Sequence, residues 1–365
     1  MIRFHFVSVG LVLTFAGPVS GQPPVGRPRP TIKVHKESNR MVKQLELPTK
    51  RREAVTRLLA LGPLAVPDLQ RTIMDPRPEI AVAAMGILRM LGIHAKPALP
   101  TLMRLTKGSD KKVAFAARWA MARIHPVGVT LVADTRKQRL VEFDSKGKVL
   151  LEIPKQQFIW DAERLPNGNY LVSHGGSNMI HELDRTGKVL WKYDKAQFPM
   201  DADRLPSGNT LICDTNKKRV IEVDPSGKVL WEYAKLSRPY DADRLPSGNT
   251  LIADYAAGRV LEVDPKGRVV WELKSATHVL SVERLPSGNT LMALWSQSVV
   301  REVNLKGKTV FEIKMPAKNR SPSSVQRLAN GNTLVGLSGA AIEFDAKGKE
   351  VWRVPIGGGG SVIRY

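Results

Sequence analysis

The chain has 365 residues, 42% of them hydrophobic, with a formal net charge of +22 and a single cysteine. That length accommodates two domains with cores of their own, and one cysteine, Cys213, excludes both a disulfide framework and a cysteine-based metal site. The basic residues are neither interleaved with aromatics nor set in a nucleic-acid motif. The charge therefore points away from nucleic acid and toward a protein, an anionic glycan or another acidic envelope component.

The chain opens with the basic, apolar segment Met1-Ile-Arg-Phe, an apolar run from Val7 to Ala16, and small residues at Val19 and Gly21. This pattern predicts a secretory signal peptide over residues 1–21. The run is well short of the ~20 apolar residues that cross a bilayer, and no later segment reads as a transmembrane span. Export to the periplasm, cell envelope or extracellular space is expected. Residues 22–36, which include QPPVGRPRP, read as a stiff Pro-rich linker.

From residue 37 to 126 apolar residues recur at helical spacing. Ala54, Val55, Leu58 and Leu59 form one stripe; Val113, Ala116, Ala120 and Ile124 form another. Leu61-Gly-Pro-Leu-Ala-Val-Pro67 is echoed thirty residues on by Leu91-Gly-Ile-His-Ala-Lys-Pro97. The glycines sit where helices stop and the later prolines in the first turn of the next helix. These paired helices resemble HEAT-like repeats, stacks whose ends need capping. The following domain is expected to cap this one. The segment 31–127 carries 18 Lys/Arg against 7 Asp/Glu and no catalytic constellation. His94 replaces Leu64 of the other copy and reads as a packed or surface residue. The stack reads as a surface for gripping a partner.

Residues 127–365 are organised by a second repeat. Its core, Arg-Leu-Pro-Ser-Gly-Asn-Thr-Leu, is phased by Arg164, Arg204, Arg244, Arg284 and Arg327, at spacings of 40, 40, 40 and 43 residues. Each unit holds four short alternating runs separated by turn chemistry such as Pro206-Ser-Gly-Asn209 and Asp224-Pro-Ser-Gly-Lys228. Four antiparallel strands per ~40 residues specify a propeller blade. The first unit lacks its first strand, and the C-terminal Ser361-Val-Ile-Arg-Tyr365 matches Ser281-Val-Glu-Arg-Leu285. The C-terminus should therefore close a six-bladed ring. The fold class is a multidomain chain: an all-α HEAT-like stack followed by an all-β six-bladed propeller.

The stretch Asp224-Pro-Ser-Gly-Lys-Val-Leu-Trp231 resembles the Asp-x-x-x-Gly-Lys-x-x-Trp blade signature of quinoprotein-like (PQQ-type) propellers. With Leu-Pro-Ser-Gly-Asn-Thr-Leu before it, the unit is also similar to arylsulfotransferase-type repeats. The resemblance spans residues 128–365 and implies fold; it does not by itself imply activity.

Residues repeated in every blade are assigned to architecture. Trp191, Trp231, Trp271 and Trp352 belong to the fourth strands and read as blade-to-blade packing. An arginine of the first strand and a glutamate of the third recur throughout, for example Arg204 and Glu182, and suggest a repeated ion-pair system. The informative positions are those that vary. Three residues before each arginine stand Asp161, Asp201 and Asp241, then Ser281, Ser324 and Ser361. Either one side of the channel carries three functional carboxylates, or Asp and Ser satisfy the same hydrogen bond; the second reading is preferred. Around the same mouth the loops place Trp160, His174, Asp214, Tyr240, Asp254, His278 and Trp295, an aromatic-rimmed concavity with the makings of a ligand site.

No cofactor is expected. The ring aspartates have the oxygen donors that Ca²⁺ takes, though no glycine-rich calcium loop accompanies them, and the resemblance raises PQQ. The primary reading is an exported, non-catalytic scaffold that presents a propeller funnel and a basic helical stack to a protein or glycan. The alternative is a propeller enzyme of quinoprotein-like or arylsulfotransferase-like type, so catalysis stays open. The quinoprotein enzymes resemble eight-bladed, often cysteine-paired propellers, from which six blades and one cysteine depart. An arylsulfotransferase would offer a histidine nucleophile, whereas Trp160, Met200 and Tyr240 precede the ring aspartates.

Overall fold

The computed structural model describes residues 32–125, 128–274, 276–315 and 321–365. The expected signal peptide, most of the expected linker and the domain junction at Pro126 lie outside the described residues. Six α-helices come first: α1 (Ile32–Gln44), α2 (Pro48–Leu61), α3 (Val66–Thr72), α4 (Pro78–Leu91), α5 (Leu99–Leu105) and α6 (Lys111–Ile124). Helix α1 starts inside the stretch read as linker, because Met41 and Leu45 near its end are fully buried and anchor it.

The thirty-residue echo is visible as structure. Pro48 and Pro78 sit in the first turns of α2 and α4, where their missing N–H would have had no helical partner. Gly62 and Gly92 end those helices at φ 57° and 55°, a left-handed conformation that a Cβ would strain. Asp110 caps α6, its Oδ1 accepting from the N–H groups of Lys112 and Val113 at 2.8 and 3.0 Å. Helix α4 is the core of the stack, with Ile80, Ala84, Met85, Ile87 and Leu88 buried. The helical run Pro78–Leu105 has the length and composition of a membrane-crossing helix, yet 61% of its most apolar window is packed inside the protein.

The rest of the chain forms six four-stranded antiparallel sheets. Blade 3 is typical: Pro199–Arg204 innermost, then Thr210–Asp214, Arg219–Val223 and Val229–Tyr233. Its second strand is buried at every position because blades pack on both of its faces, which is why such strands read as unbroken apolar runs. The turn after the inner strand places Gly208 at φ 86°, a conformation that favours glycine. Blade 1 is completed by Val362–Arg364, whose residues pair antiparallel with Val132 back to Thr130. The ring is thus closed by the C-terminal strand, and the first strand of the blade is not left as an open edge.

The repeated arginines and glutamates join blades. Arg204 reaches Glu182 of the preceding blade at 2.9 Å, Arg244 reaches Glu222 at 2.7 Å, and Arg364 reaches Glu343 across the closure. Arg204 and Arg244 lie over the rings of Trp191 and Trp231, 4.8 Å from the centroids, adding a cation–π contact to the ion pair. The indoles of Trp191 and Trp231 in turn donate to the carbonyl oxygens of Pro225 and Pro265 in the next blade.

The helical stack docks on the propeller face that carries the inner-strand turns. Arg52 Nε is 2.9 Å from Glu262 Oε1, and Arg123 contacts Glu283 and the carbonyl oxygen of Arg327. Gly86 lets α4 approach closely: a Cβ there would stand 3.1 Å from the Pro246 ring. The stack is therefore capped by the propeller, and it covers one end of the propeller channel.

Candidate functional site

A cavity of about 790 Å³ runs along the channel, from Trp160, Met200 and Tyr240 at the free mouth to Arg89 and Trp119 of the helical stack at the other end. Its walls are the six innermost strands. An innermost strand has a second strand on one side only, so its remaining N–H groups need acceptors from elsewhere. The next blade back supplies them.

In the tier nearer the mouth, Asp201 Oδ2 accepts from the Ala242 N–H at 3.0 Å and Asp241 Oδ2 from the Val282 N–H at 2.6 Å. Ser324 and Ser361 accept through Oγ from Val362 and Ala162 at 2.9 and 3.0 Å. Asp161 accepts from Ala202 in the same way. Asp and Ser therefore do one job at this position, the preferred of the two readings. Only the charge differs, and it gathers on one side.

The second tier, two residues further along each strand, went unread in the sequence. Glu163 Oε2 accepts from the Arg204 N–H at 2.9 Å, Glu283 Oε2 from Arg327 at 2.7 Å, and Gln326 Oε1 from Arg364 at 2.8 Å. Where blade 1 has Ile363, the Tyr365 hydroxyl takes over and accepts from Arg164 at 2.8 Å. Asp203 and Asp243 are one methylene shorter than glutamate. Among the described residues they make no hydrogen bond or ion pair, and both line the cavity. The signal was available: the second residue after each ring aspartate or serine departs from the repeat.

Seven carboxyls thus face one chamber. Burial raises Asp161 to about 6 and Glu163 and Asp243 to about 7. It also pushes Asp201, Asp203 and Asp241 well above the ordinary carboxylate range, with repulsion from neighbouring carboxylates adding to it. The counter-charges come from the stack. Arg89 lies 4.1 Å from the Trp119 ring centroid and donates to the Trp119 carbonyl oxygen; Arg123 pairs with Glu283 at 2.5 Å.

The free mouth is aromatic. Tyr240 and Tyr255 stack at 4.4 Å, Tyr255 meets His278 at 4.8 Å, and His278 meets Trp295 edge-on at 6.4 Å. Trp295 is 45% exposed and Phe158 52%. Of the residues singled out in the sequence, Trp160, Asp161, Asp201, Tyr240 and Asp241 line the cavity, and His278 and Trp295 continue the aromatic row. His174 is buried outside it, with Nδ1 2.9 Å from the Gln157 carbonyl oxygen and its ring 5.0 Å from that of His181. Asp214 and Asp254 are fully buried and hold loops. Asp214 accepts from the Gln197 N–H and Arg219 Nε, and Asp254 from the Ser237 and Arg238 N–H groups and Arg259 Nε. Cys213 is buried.

The residues present do not fit the groups raised by the sequence. PQQ is itself a tricarboxylate and would meet seven carboxyls; of the six arginines in the lining, Arg204, Arg244, Arg284 and Arg327 are already paired with glutamates of the preceding blades. Among the described residues no three His, Cys, Asp or Glu side chains form a metal-holding group.

The family model described as outer membrane protein assembly factor BamB matches residues 122–292. The match runs from the end of α6 into the fifth blade, where the chain is similar to PQQ-type repeats. No curated protein matches the chain. Among solved structures, a protein of unknown function from Bacteroides caccae is 20% identical, with a TM-score of 0.52 covering 62% of this chain and 93% of that one. Virginiamycin B lyase from Staphylococcus aureus is 14% identical, with a TM-score of 0.49 over 63% of this chain and 81% of that one. The first is a likeness of fold.

Proposed function

We propose that this PQQ-repeat propeller is an exported, non-catalytic scaffold that binds a protein partner at its free mouth, with the helical stack as a basic second surface. The reading rests on one observation above the others. The row Tyr240, Tyr255, His278 and Trp295 crosses from blade 4 to blade 5 and ends in a half-exposed indole, with Phe158 exposed at the rim of blade 2. Large, rigid aromatics at a concave rim are the residues on which protein interfaces concentrate their binding energy. The assembly-factor description of the matching family model points the same way. An arylsulfotransferase would want a histidine nucleophile facing the cavity, and the two singled-out histidines are placed otherwise: His174 is buried outside it and His278 is stacked in the row.

The test is site-specific photo-crosslinking in the native envelope, with the crosslinker at residue 295 and, as a control, at the exposed Lys228 in the turn between the last two strands of blade 3. A protein adduct formed at the mouth and abolished by Tyr255→Ala supports the reading. Equal adducts at both positions, or retention of Trp295 variants and wild type alike on the partner, overturns it. Retention by immobilised glycan with no protein adduct would replace the protein by a glycan.

A further inference from the structure

We propose that blade 2 carries a soft-metal site, built from His174, Met179 and His181, that takes monovalent copper, Cu(I). The site goes beyond the mouth binding proposed above and uses different residues.

Blade 2 breaks the repeat at one cluster of positions. In blades 1, 3 and 4 the second strand ends in an aspartate, and the third opens with an arginine directly opposite: Asp134 with Arg139, Asp214 with Arg219, Asp254 with Arg259. Each is an ion pair, at 3.2, 2.9 and 3.0 Å. In blade 2 the second and third strands are Tyr170–His174 and Met179–Leu183, and the same two positions hold His174 and Met179. Two residues after Met179 stands His181, where blades 1, 3 and 4 have Val141, Ile221 and Leu261. The fourth strand changes with them. The glutamate that extends the ion pair elsewhere, such as Glu232 on Arg219, is here Lys192. Blades 5 and 6 also give up the ion pair, and there both positions are apolar, Leu294 with Val299 and Leu337 with Ala340. Blade architecture is thus served by an ion pair or an apolar pair, and calls for neither the imidazoles nor the thioether.

The three side chains share one face of the sheet. Residues directly opposite in an antiparallel pair point to the same side, with Cβ atoms about 4.5–5.5 Å apart, and so do residues two apart on one strand. The imidazole rings of His174 and His181 lie 5.0 Å apart, centroid to centroid. His174 is 5% exposed, while Met179 and His181 are half-buried, which leaves the cluster reachable from solvent.

A second observation points to a ligand. His174 Nδ1 is 2.9 Å from the Gln157 carbonyl oxygen. A carbonyl only accepts, so Nδ1 carries the proton and the neutral ring presents a lone pair at Nε2. That Nε2 is buried and has no hydrogen-bond partner among the described residues, a costly state for a polar atom unless something arrives to meet it. One ring nitrogen held by a backbone carbonyl with the other left bare is also how proteins orient a metal-ligating histidine. Holding the loop accounts for Nδ1, as Asp214 holds the next loop by accepting from the Gln197 N–H. It accounts for neither the bare Nε2 nor the two residues beside it.

The donor set selects the ion. Thioether sulfur favours Cu(I), imidazole suits copper, and the oxygen ligands that Mg, Ca and Mn take are missing. Zinc takes imidazole but completes its shell with thiolate, carboxylate or further imidazole, and among the described residues no third His, Cys, Asp or Glu joins the two histidines. Lys192 stands opposite His181 where other blades place a glutamate. It withdraws a hard ligand from the site, and its ammonium repels a divalent ion more than a monovalent one.

The experiment is anaerobic titration of the full chain with Cu(I) held as its bicinchoninate complex, ascorbate present, following the colour of the complex as copper is withdrawn. Saturable one-to-one withdrawal is expected. His174→Leu with Met179→Val copies the pair that blade 5 carries and so keeps the blade folded. It should weaken binding at least roughly tenfold, the scale on which losing even a supporting partner of a metal ligand is felt, with an unchanged circular dichroism spectrum. Met179→Leu alone should remove the sulfur scatterer from the X-ray absorption spectrum of the bound copper. No withdrawal, equal affinity in the double variant, an unchanged absorption spectrum in Met179→Leu, or displacement of the copper by equimolar Zn²⁺ overturns the proposal. Trp295→Ala separates the two sites. Retained copper affinity places the site in blade 2 whatever becomes of partner binding, and lost affinity refutes that placement.

Discussion

Arg123 Nη2 stands 2.5 Å from Glu283 Oε1 and 3.0 Å from the carbonyl oxygen of Arg327, so the end of the last helix is pinned to blades 5 and 6 at the channel wall. The two side chains are about one-fifth exposed, and hydrogen bonds to charged groups in such settings contribute about 1.5–3 kcal/mol. Arg123→Ala should lower the melting temperature and make α6 susceptible to protease before the propeller unfolds. Limited proteolysis beside a thermal melt checks this. If cleavage and unfolding remain coincident, docking does not depend on this contact.

The C-terminal strand completes blade 1 through its pairing with residues 130–132 and through the Arg364–Glu343 ion pair. Deleting residues 361–365 should abolish cooperative melting of the propeller, measured by far-ultraviolet circular dichroism. An unchanged transition would mean that the ring is not held by its closure.

The shared hydrogen bond of the first tier makes a sharp distinction between two substitutions of Asp201. Asp201→Ser keeps an acceptor for Ala242 N–H, as Ser324 does for Val362, and should stay within a small fraction of wild-type stability. Asp201→Ala leaves that N–H unmet and should cost about 1–3 kcal/mol. Chemical denaturation midpoints compare the two, and equal effects would remove the hydrogen bond from the account.

The raised carboxyls set a pH dependence with a definite sign. A carboxyl whose folded pKa lies above its unfolded value contributes stability that is fully present below the unfolded pKa, about 4. That contribution is lost as pH rises through the folded pKa. Asp161 at about 6 and Glu163 and Asp243 at about 7 place the loss between roughly pH 4 and 7.5. The melting temperature should fall across that window, and Asp203→Asn with Asp243→Asn should flatten the fall. Differential scanning fluorimetry from pH 4 to 8 reads it directly; a melting temperature that rises across that range contradicts the chamber electrostatics.

Much of this molecule is legible in its letters. The spacing of Arg164, Arg204, Arg244 and Arg284 specifies the blades, and Ser361 to Tyr365 declares itself as the missing strand. The equivalence of Asp and Ser in the first tier was also open to inference, since the same backbone N–H recurs in every blade. The second tier was harder. Glu163, Asp203, Asp243 and Glu283 look like ordinary charged residues in a strand until the neighbouring blade is placed beside them. Asp214 and Asp254 misled in the opposite sense: they sit near the mouth in sequence, and their side chains turn back to hold loops.

The sequence alone determines the repeat, the number of blades, the closure and the helical character of residues before 125, because period-two and helical patterning and glycine turns act locally and recur. Tertiary structure alone decides that the helical stack lies across the propeller and shuts one end of the channel. Arg52, Gly86, Arg89 and Arg123 find their partners at Glu262, Pro246, the chamber carboxyls and Glu283, between about 70 and 210 residues away. No local pattern encodes such contacts, and it is the shape and charge of two folded surfaces that bring them together.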